Sequence, residues 1–200
     1  MENIAVFGGT FNPFHIGHLE MLTSIHSLEF IDKVLILPSK IPPHKEVDFL
    51  AKDAHRKAFC QIAADLFERA EVSDIELKRE GKSYTVDTLL SLKVLYPNAR
   101  FYLTIGADML LSFHTWKDYE KILSLSSLIC FNRGNYDISE VNNAVSFLKS
   151  KGADIYFCED KITDISSTLI RENINNRDML ANYIPANILD YIDKNSVFGE

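Results

Sequence analysis

Short apolar runs of strand length alternate with longer segments of helical period along the 200 residues. That alternation constrains the fold more than any other feature, because it is the pattern of a parallel sheet covered by helices. Six runs read as strands, at 3–7, 33–37, 71–75, 100–105, 128–132 and 154–157. Helical segments fall between them at 17–28, 53–69, 85–96, 119–123 and 139–149. In 53–69 the residues Ala54, Ala58, Ile62, Ala63 and Leu66 form the clearest apolar stripe, expected to face the core. Two more helical segments, 166–173 and 185–193, follow the last strand, the second with Pro185 at its start. No repeat, linker or low-complexity tract interrupts this order. The expectation is an α/β chain: one domain over 1–200, a doubly wound parallel sheet with a short C-terminal helical segment from about residue 166.

Composition removes several function classes. Hydrophobic residues at 46% and charged residues at 24% suit an ordinary folded domain rather than a disordered or fibrous chain. A net charge of -7 argues against nucleic acid as a partner, since backbone phosphates call for a basic face, so a phosphate ligand would need a local cluster. Cys60, Cys130 and Cys158 are odd in number and far apart among apolar neighbours, which fits buried thiols in a reducing compartment. Residues 1–7 lack the basic region of a signal peptide, and no stretch reaches the ~20 apolar residues of a membrane span. A cytoplasmic location with no membrane partner is expected, and a homo-oligomer is left open.

Directly after the first strand stands Gly8-Gly9-Thr10-Phe11-Asn12-Pro13-Phe14-His15-Ile16-Gly17-His18, and then a helix begins. Glycines let backbone approach an anion closely, and a helix start offers N–H groups and roughly half a positive charge, so a phosphate fits there. His15 and His18 are three apart and can face one point. Such a pair could instead cap the helix, or bind zinc, although no further Cys, Asp or Glu is spaced to complete a zinc site. Two better-known phosphate loops are excluded. Gly-x-Gly-x-x-Gly does not follow the first strand, and the Walker-like Gly81-Lys82-Ser83 would need a glycine where Glu76 stands.

With its strand and helix context, residues 8–18 resemble the first signature of the nucleotidyltransferases that carry a His-x-Gly-His motif, here His15-Ile16-Gly17-His18. Ile165-Ser166-Ser167-Thr168, followed by Ile170 and Arg171, resembles their second. Between them, Leu37-Pro38-Ser39-Lys40-Ile41-Pro42-Pro43-His44-Lys45, Ser83-Tyr84-Thr85-Val86-Asp87-Thr88-Leu89, and Ile105-Gly106-Ala107-Asp108 with Trp116 are similar to the bacterial nicotinate-nucleotide adenylyltransferases. The resemblance spans nearly the whole chain and implies a Rossmann-like fold. Asn12 stands where that family more often has aspartate, a change expected to affect only the shape of the turn. In an open α/β sheet ligands bind outside the carboxyl ends of the strands, and every one of these segments follows a strand.

The resemblance implies transfer of AMP from ATP to nicotinic acid mononucleotide, giving nicotinic acid adenine dinucleotide, a precursor of NAD, and pyrophosphate. Its catalytic residues would be His15, His18 and Arg171, with His18 stabilising the transition state. ATP would be met by Gly8, Gly9, Thr10, Phe11, Gly17, Gly106, Asp108, Ile165, Ser166, Ser167 and Thr168 beside those three, Asp108 taking the ribose hydroxyls. The mononucleotide would be met by Lys45 at its phosphate, Trp116 stacked on the pyridine ring, backbone N–H groups of Tyr84 and Thr85 at the carboxylate, and Arg133 near the phosphates. A solvated Lys45 and a core Trp116 are the plain alternatives. Mg2+ is expected to enter with ATP on phosphate oxygens and water, with no permanent metal ligand in the protein. Rivals are a sister adenylyltransferase acting on nicotinamide mononucleotide, pantetheine phosphate or flavin mononucleotide, and a nucleotide sensor without chemistry. A dehydrogenase has lost its glycine fingerprint.

Overall fold

The computed structural model describes residues 1–42, 49–132 and 136–199. Six parallel strands form one sheet: β1 (Asn3–Gly9), β2 (Lys33–Pro38), β3 (Ala70–Val72), β4 (Arg100–Gly106), β5 (Ser126–Phe131) and β6 (Ile155–Cys158). Their spatial order is β3-β2-β1-β4-β5-β6. The chain runs outward from β1 on one side, crosses back, and runs outward from β4 on the other, so the order reverses between β1 and β4.

Strand residues alternate between two cores, as the period of two requires. Ala5, Phe7, Val34, Ile36, Tyr102, Ile129 and Phe131 pack on one face with α1 (Ile16–Ser27) and α2 (Asp53–Ala64). Ile4, Val6, Leu35, Leu37, Phe101, Leu103, Ile105, Leu128 and Cys130 pack on the other, against α3 (Thr85–Leu95), α4 (Ala107–Ser112), α5 (Tyr119–Leu125) and the end of α6 (Ile138–Ser150). The short helices α7 (Ser167–Glu172), α8 (Arg177–Tyr183) and α9 (Ala186–Lys194) join the first core through Ile170, Leu180, Ile184, Ile188 and Ile192. Side chains fix several helix starts: Ser166 accepts from Leu169 N–H, Asn176 from Met179 N–H and Asp137 from Ser139 N–H. The free cysteines Cys60, Cys130 and Cys158 are buried, and burial pushes the Cys130 thiol up to about 12, with the Asp108 charge adding to it.

Five details depart from the sequence reading. The core face of α2 is Arg56, Phe59, Cys60, Ala63 and Ala64, while Ala54 is exposed and Leu66, beyond the helix end, is 54% exposed. The expected stripe had the right period and was partly right in phase, Ala63 being buried and Ile62 packing on the core, but its centre is rotated because an arginine occupies a core position. That helix also stops at Ala64 rather than continuing to residue 69. β3 is three residues, 70–72, displaced from the expected 71–75. β1 continues through Gly8 and Gly9, which pair with Leu37 and Pro38, so the glycines are the last rungs of a strand. Helices α4 and α8 were not anticipated.

Candidate active site

The reversal in strand order opens a crevice. β1 pairs with β4 only from Asn3 to Val6, opposite Arg100 to Leu103, whereas it stays paired with β2 as far as Gly9. Beyond Val6 the carboxyl ends of β1 and β4 separate, and the segments singled out by sequence gather around that gap.

The first of them is a tight aromatic turn. Phe11 takes left-handed backbone with φ 49, a conformation that costs an L side chain energy and persists only where packing holds it. Its ring is buried against Phe7 at 5.4 Å and Phe14 at 5.3 Å, leaving only backbone for any nucleotide contact. His15 is the N-cap of α1, and His15 and His18 cap each other: His15 N–H donates to His18 Nδ1 at 3.2 Å and His18 N–H to His15 Nδ1 at 3.4 Å. Their rings stack at 3.6 Å, and Phe11 and Phe14 lie 5.0 and 5.2 Å from the His18 ring. The capping alternative for this pair is therefore what the geometry contains. With Nδ1 accepting on each ring, the neutral imidazole carries its proton on Nε2, His15 being buried and His18 partly so. That suits a phosphate oxygen and not a metal ion.

The second signature folds directly onto the first. Arg171 Nη1 donates to Asn12 carbonyl oxygen at 2.8 Å, and Ser167 Oγ to Pro13 carbonyl oxygen at 2.9 Å. The Arg171 guanidinium also reaches Thr168 Oγ1 at 3.2 Å. Of the three hydroxyls expected at an anion, Ser167 Oγ thus donates inside the protein, whereas Ser166 Oγ, the cap of α7, and Thr168 Oγ1 act there as acceptors. Ile165 is buried in the core, and its N–H donates to Thr163 carbonyl oxygen at 3.0 Å. A Cβ on Gly17 would lie 2.9 Å from Thr163 carbonyl oxygen, which makes glycine a condition for the two signatures to close on one another. Glu20 fastens the same contact, accepting from Thr163 N–H at 2.6 Å and Thr163 Oγ1 at 2.8 Å. Asn12 donates through Nδ2 to Phe49 carbonyl oxygen at 2.7 Å and accepts Ala51 N–H at 3.1 Å. An aspartate could make only the second of these bonds.

On the far side of the gap, Gly106 ends β4 and Asp108 occupies the first turn of α4, exposed, its carboxylate folded over Gly106 so that a Cβ there would sit 2.4 Å from Oδ1. Trp116 is half-buried and stacks on Phe113 at 4.9 Å. Lys117 links it to α3: its Nζ lies 4.6 Å over the Tyr84 ring and 3.1 Å from Asp87 Oδ2. Tyr84 N–H donates to Lys82 carbonyl oxygen at 3.0 Å, so it is spent within the chain. Of the two N–H groups expected to meet a carboxylate, only that of Thr85 stands in the first turn of α3. Lys45 and Arg133 lie outside the described residues.

Sequence reasoning missed the polar groups that hold these loops. Arg56, wholly buried, donates to Thr10 and Ser39 carbonyl oxygens at 3.1 and 2.5 Å, to Ala51 carbonyl oxygen at 3.1 Å and to Asp53 at 2.5 Å. Burial acts to raise the Asp53 pKa, but hydrogen bonds from Lys40 and Arg56 and their charges outweigh it and hold the carboxyl below its ordinary value. Buried Glu76 accepts from Thr88 Oγ1 at 2.7 Å and also hydrogen-bonds Ser83, whose Oγ accepts Lys40 N–H at 2.9 Å. Helical spacing of 56, 59, 60 and 63 was the one signal that could have found Arg56.

The cytidylyltransferase-like family matches residues 6–173. The probable nicotinate-nucleotide adenylyltransferase of Oceanobacillus iheyensis is 32% identical over all of this chain and 98% of its own length. That of Fusobacterium nucleatum is 36% identical over 96% of this chain and 97% of its own. Among solved structures, Plasmodium falciparum nicotinic acid mononucleotide adenylyltransferase complexed with NaAD superposes with a TM-score of 0.81 at 25% identity, covering 99% of this chain and 98% of that one.

Proposed function

Because the chain belongs to the cytidylyltransferase-like nucleotidyltransferases and, among them, to the nicotinate-nucleotide adenylyltransferases, we propose that it transfers AMP from ATP to nicotinic acid mononucleotide on the route to NAD. In that reaction an oxygen of the mononucleotide phosphate bonds to the α-phosphorus of ATP. The bond from that phosphorus to the bridging oxygen breaks, and pyrophosphate leaves with its electrons. No protein nucleophile is needed, so positioning and charge stabilisation carry the rate.

The observation that carries this reading is the closure of the second signature on the first, Arg171 on Asn12 and Ser167 on Pro13, beside a histidine pair whose Nε2–H groups are donors. His15 and His18 would donate to the α- and β-phosphates, and Arg171 would meet the leaving pyrophosphate. Gly8 and Gly9 at the strand end would let a phosphate approach, a Cβ on Gly8 meeting nothing within 4 Å. Asp108 would accept from ribose hydroxyls. Thr85 N–H, Tyr84 and Trp116 would hold the pyridine carboxylate and ring, with Lys45 and Arg133 at the phosphates as the sequence suggests. The residues fit a Mg2+ that arrives on the nucleotide, since the imidazoles offer protons rather than lone pairs; bound to the triphosphate it would neutralise charge there. No described helix is long and apolar enough to cross a membrane. The buried free thiols fit a reducing compartment, and the cytoplasm is the proposed location. One cooperative domain is proposed, because α7 to α9 share a core with the sheet.

The test follows the α-phosphate. With ATP labelled at that position and nicotinic acid mononucleotide as acceptor, label is expected in the dinucleotide, with unlabelled pyrophosphate released in equal amount. Label passing only to pantetheine phosphate or flavin mononucleotide would replace the acceptor, and transfer to none of them would leave the sensor reading.

A further inference from the structure

Among the described residues Arg56 is the largest side chain wholly removed from solvent, on a helix the catalytic reading does not use. A buried guanidinium is costly unless every face finds an acceptor. Here the acceptors come from three stretches of chain, two of them directly after Gly9 and Pro38, the paired last rungs of β1 and β2. Thr10 belongs to the turn after β1, Ser39 to the loop after β2, and Ala51 to the approach to α2, with Asp53 adding the counter-charge. The same Asp53 holds Lys40 Nζ at 2.5 Å, and Lys40 N–H reaches Ser83 Oγ, which continues to Glu76 and the start of α3. A continuous polar chain therefore runs from the turn assigned to ATP to the loops assigned to the mononucleotide, and Arg56 joins it to the first beside the backbone bond from Ser39 N–H to Gly9 carbonyl oxygen at 2.9 Å and the Asn12 bonds to Phe49 and Ala51.

We propose that Arg56 is a positioning residue that sets the spacing between the two nucleotide half-sites, and so the alignment of the attacking phosphate oxygen with the α-phosphorus. This rests on the adenylyl-transfer reading above. The guanidinium fork is rigid and planar, so it fixes two carbonyl oxygens relative to one another, whereas a lysine ammonium in the same place is a point charge on a flexible stem. Each loop can still bind its own ligand when the fork is lost. The Ser39–Gly9 backbone bond and the Asn12 contacts keep the loops together but not at the spacing the fork sets, and a misplacement of about 1 Å costs on the order of 10²-fold in rate.

The experiment compares wild type with Arg56→Lys in three readouts: kcat at saturating substrates, and the Kd of a non-hydrolysable ATP analogue and of nicotinic acid mononucleotide, each measured alone. The expected result is a kcat lowered by roughly 10- to 100-fold with both Kd values within about threefold of wild type. A parallel loss of kcat and both affinities would make Arg56 merely structural and overturn the proposal, as would an unchanged kcat. If Arg56→Lys does not fold, Asp53→Asn, which removes one restraint on the fork, should show the same split at smaller size, and its absence there overturns the proposal equally. Wild type run alongside separates the two questions: no turnover in wild type refutes adenylyl transfer, whereas turnover that the variants retain refutes only the role of Arg56.

Discussion

At the scale of single residues, the histidines show how one group can serve structure and chemistry at once. His18 Nδ1 takes the N-cap N–H of α1, which puts the ring proton of the neutral imidazole on Nε2, the atom proposed above to meet a phosphate. His18→Ala should therefore lower kcat by on the order of 10² to 10³, the scale of one lost charge-stabilising donor. Loss of the cap bond should also cost about 1 kcal/mol in urea unfolding. His18→Gln, whose oxygen at the same helical position can reach back to the cap, should recover the stability and not the rate. Normal turnover in the alanine variant would remove His18 from the chemistry. The glycines divide in the same way. Gly17→Ala drives a Cβ against Thr163 backbone at 2.9 Å and should cost about 1–3 kcal/mol. Gly8→Ala meets open space, so it should leave the urea midpoint in place while raising the KM for ATP severalfold; a KM that does not move would mean that no ligand approaches there.

Elements are where the sequence was partly legible. Short apolar runs located the strands because parallel strands are buried on both faces and read as unbroken apolar stretches. Helix phase was less secure: α2 hides Arg56, and hydropathy reads a fully bonded buried cation as a solvent position. The paired loops between β2 and α3 were invisible for a related reason, since Ser83, Glu76 and Thr88 contact one another only after the sheet has formed. Burial pushes the Glu76 carboxyl above its ordinary 4.5, partly opposed by hydrogen bonds from Thr88 and Ser83 and by the charge of Arg79. A raised native pKa binds protons more tightly in the folded state, so the contribution to stability is full below 4.5 and is lost as pH rises through the native value. Glu76→Gln has no such proton. The stability of wild type minus that of the variant, from urea unfolding between about pH 4 and pH 7.5, should fall with rising pH; a level difference would contradict the burial account.

For the whole molecule, topology decides where chemistry can occur. The reversal between β1 and β4 opens the only break in pairing at the carboxyl edge of the central described strands, and the two signatures, nearly 150 residues apart, meet beside it through Arg171 and Asn12. That meeting was expected from strand ends alone. The internal donation of the Tyr84 N–H and the Ser167 hydroxyl was not, because hydrogen-bond partners chosen from backbone leave no mark on sequence spacing. The central claim is that this crevice joins ATP to the acid form of a pyridine mononucleotide. Its most direct test offers the protein equal concentrations of nicotinic acid mononucleotide and nicotinamide mononucleotide with ATP and Mg2+, and follows both dinucleotides by mass. The account predicts that nicotinic acid adenine dinucleotide forms in large excess; a product mixture dominated by the amide dinucleotide, or no dinucleotide at all, would contradict it.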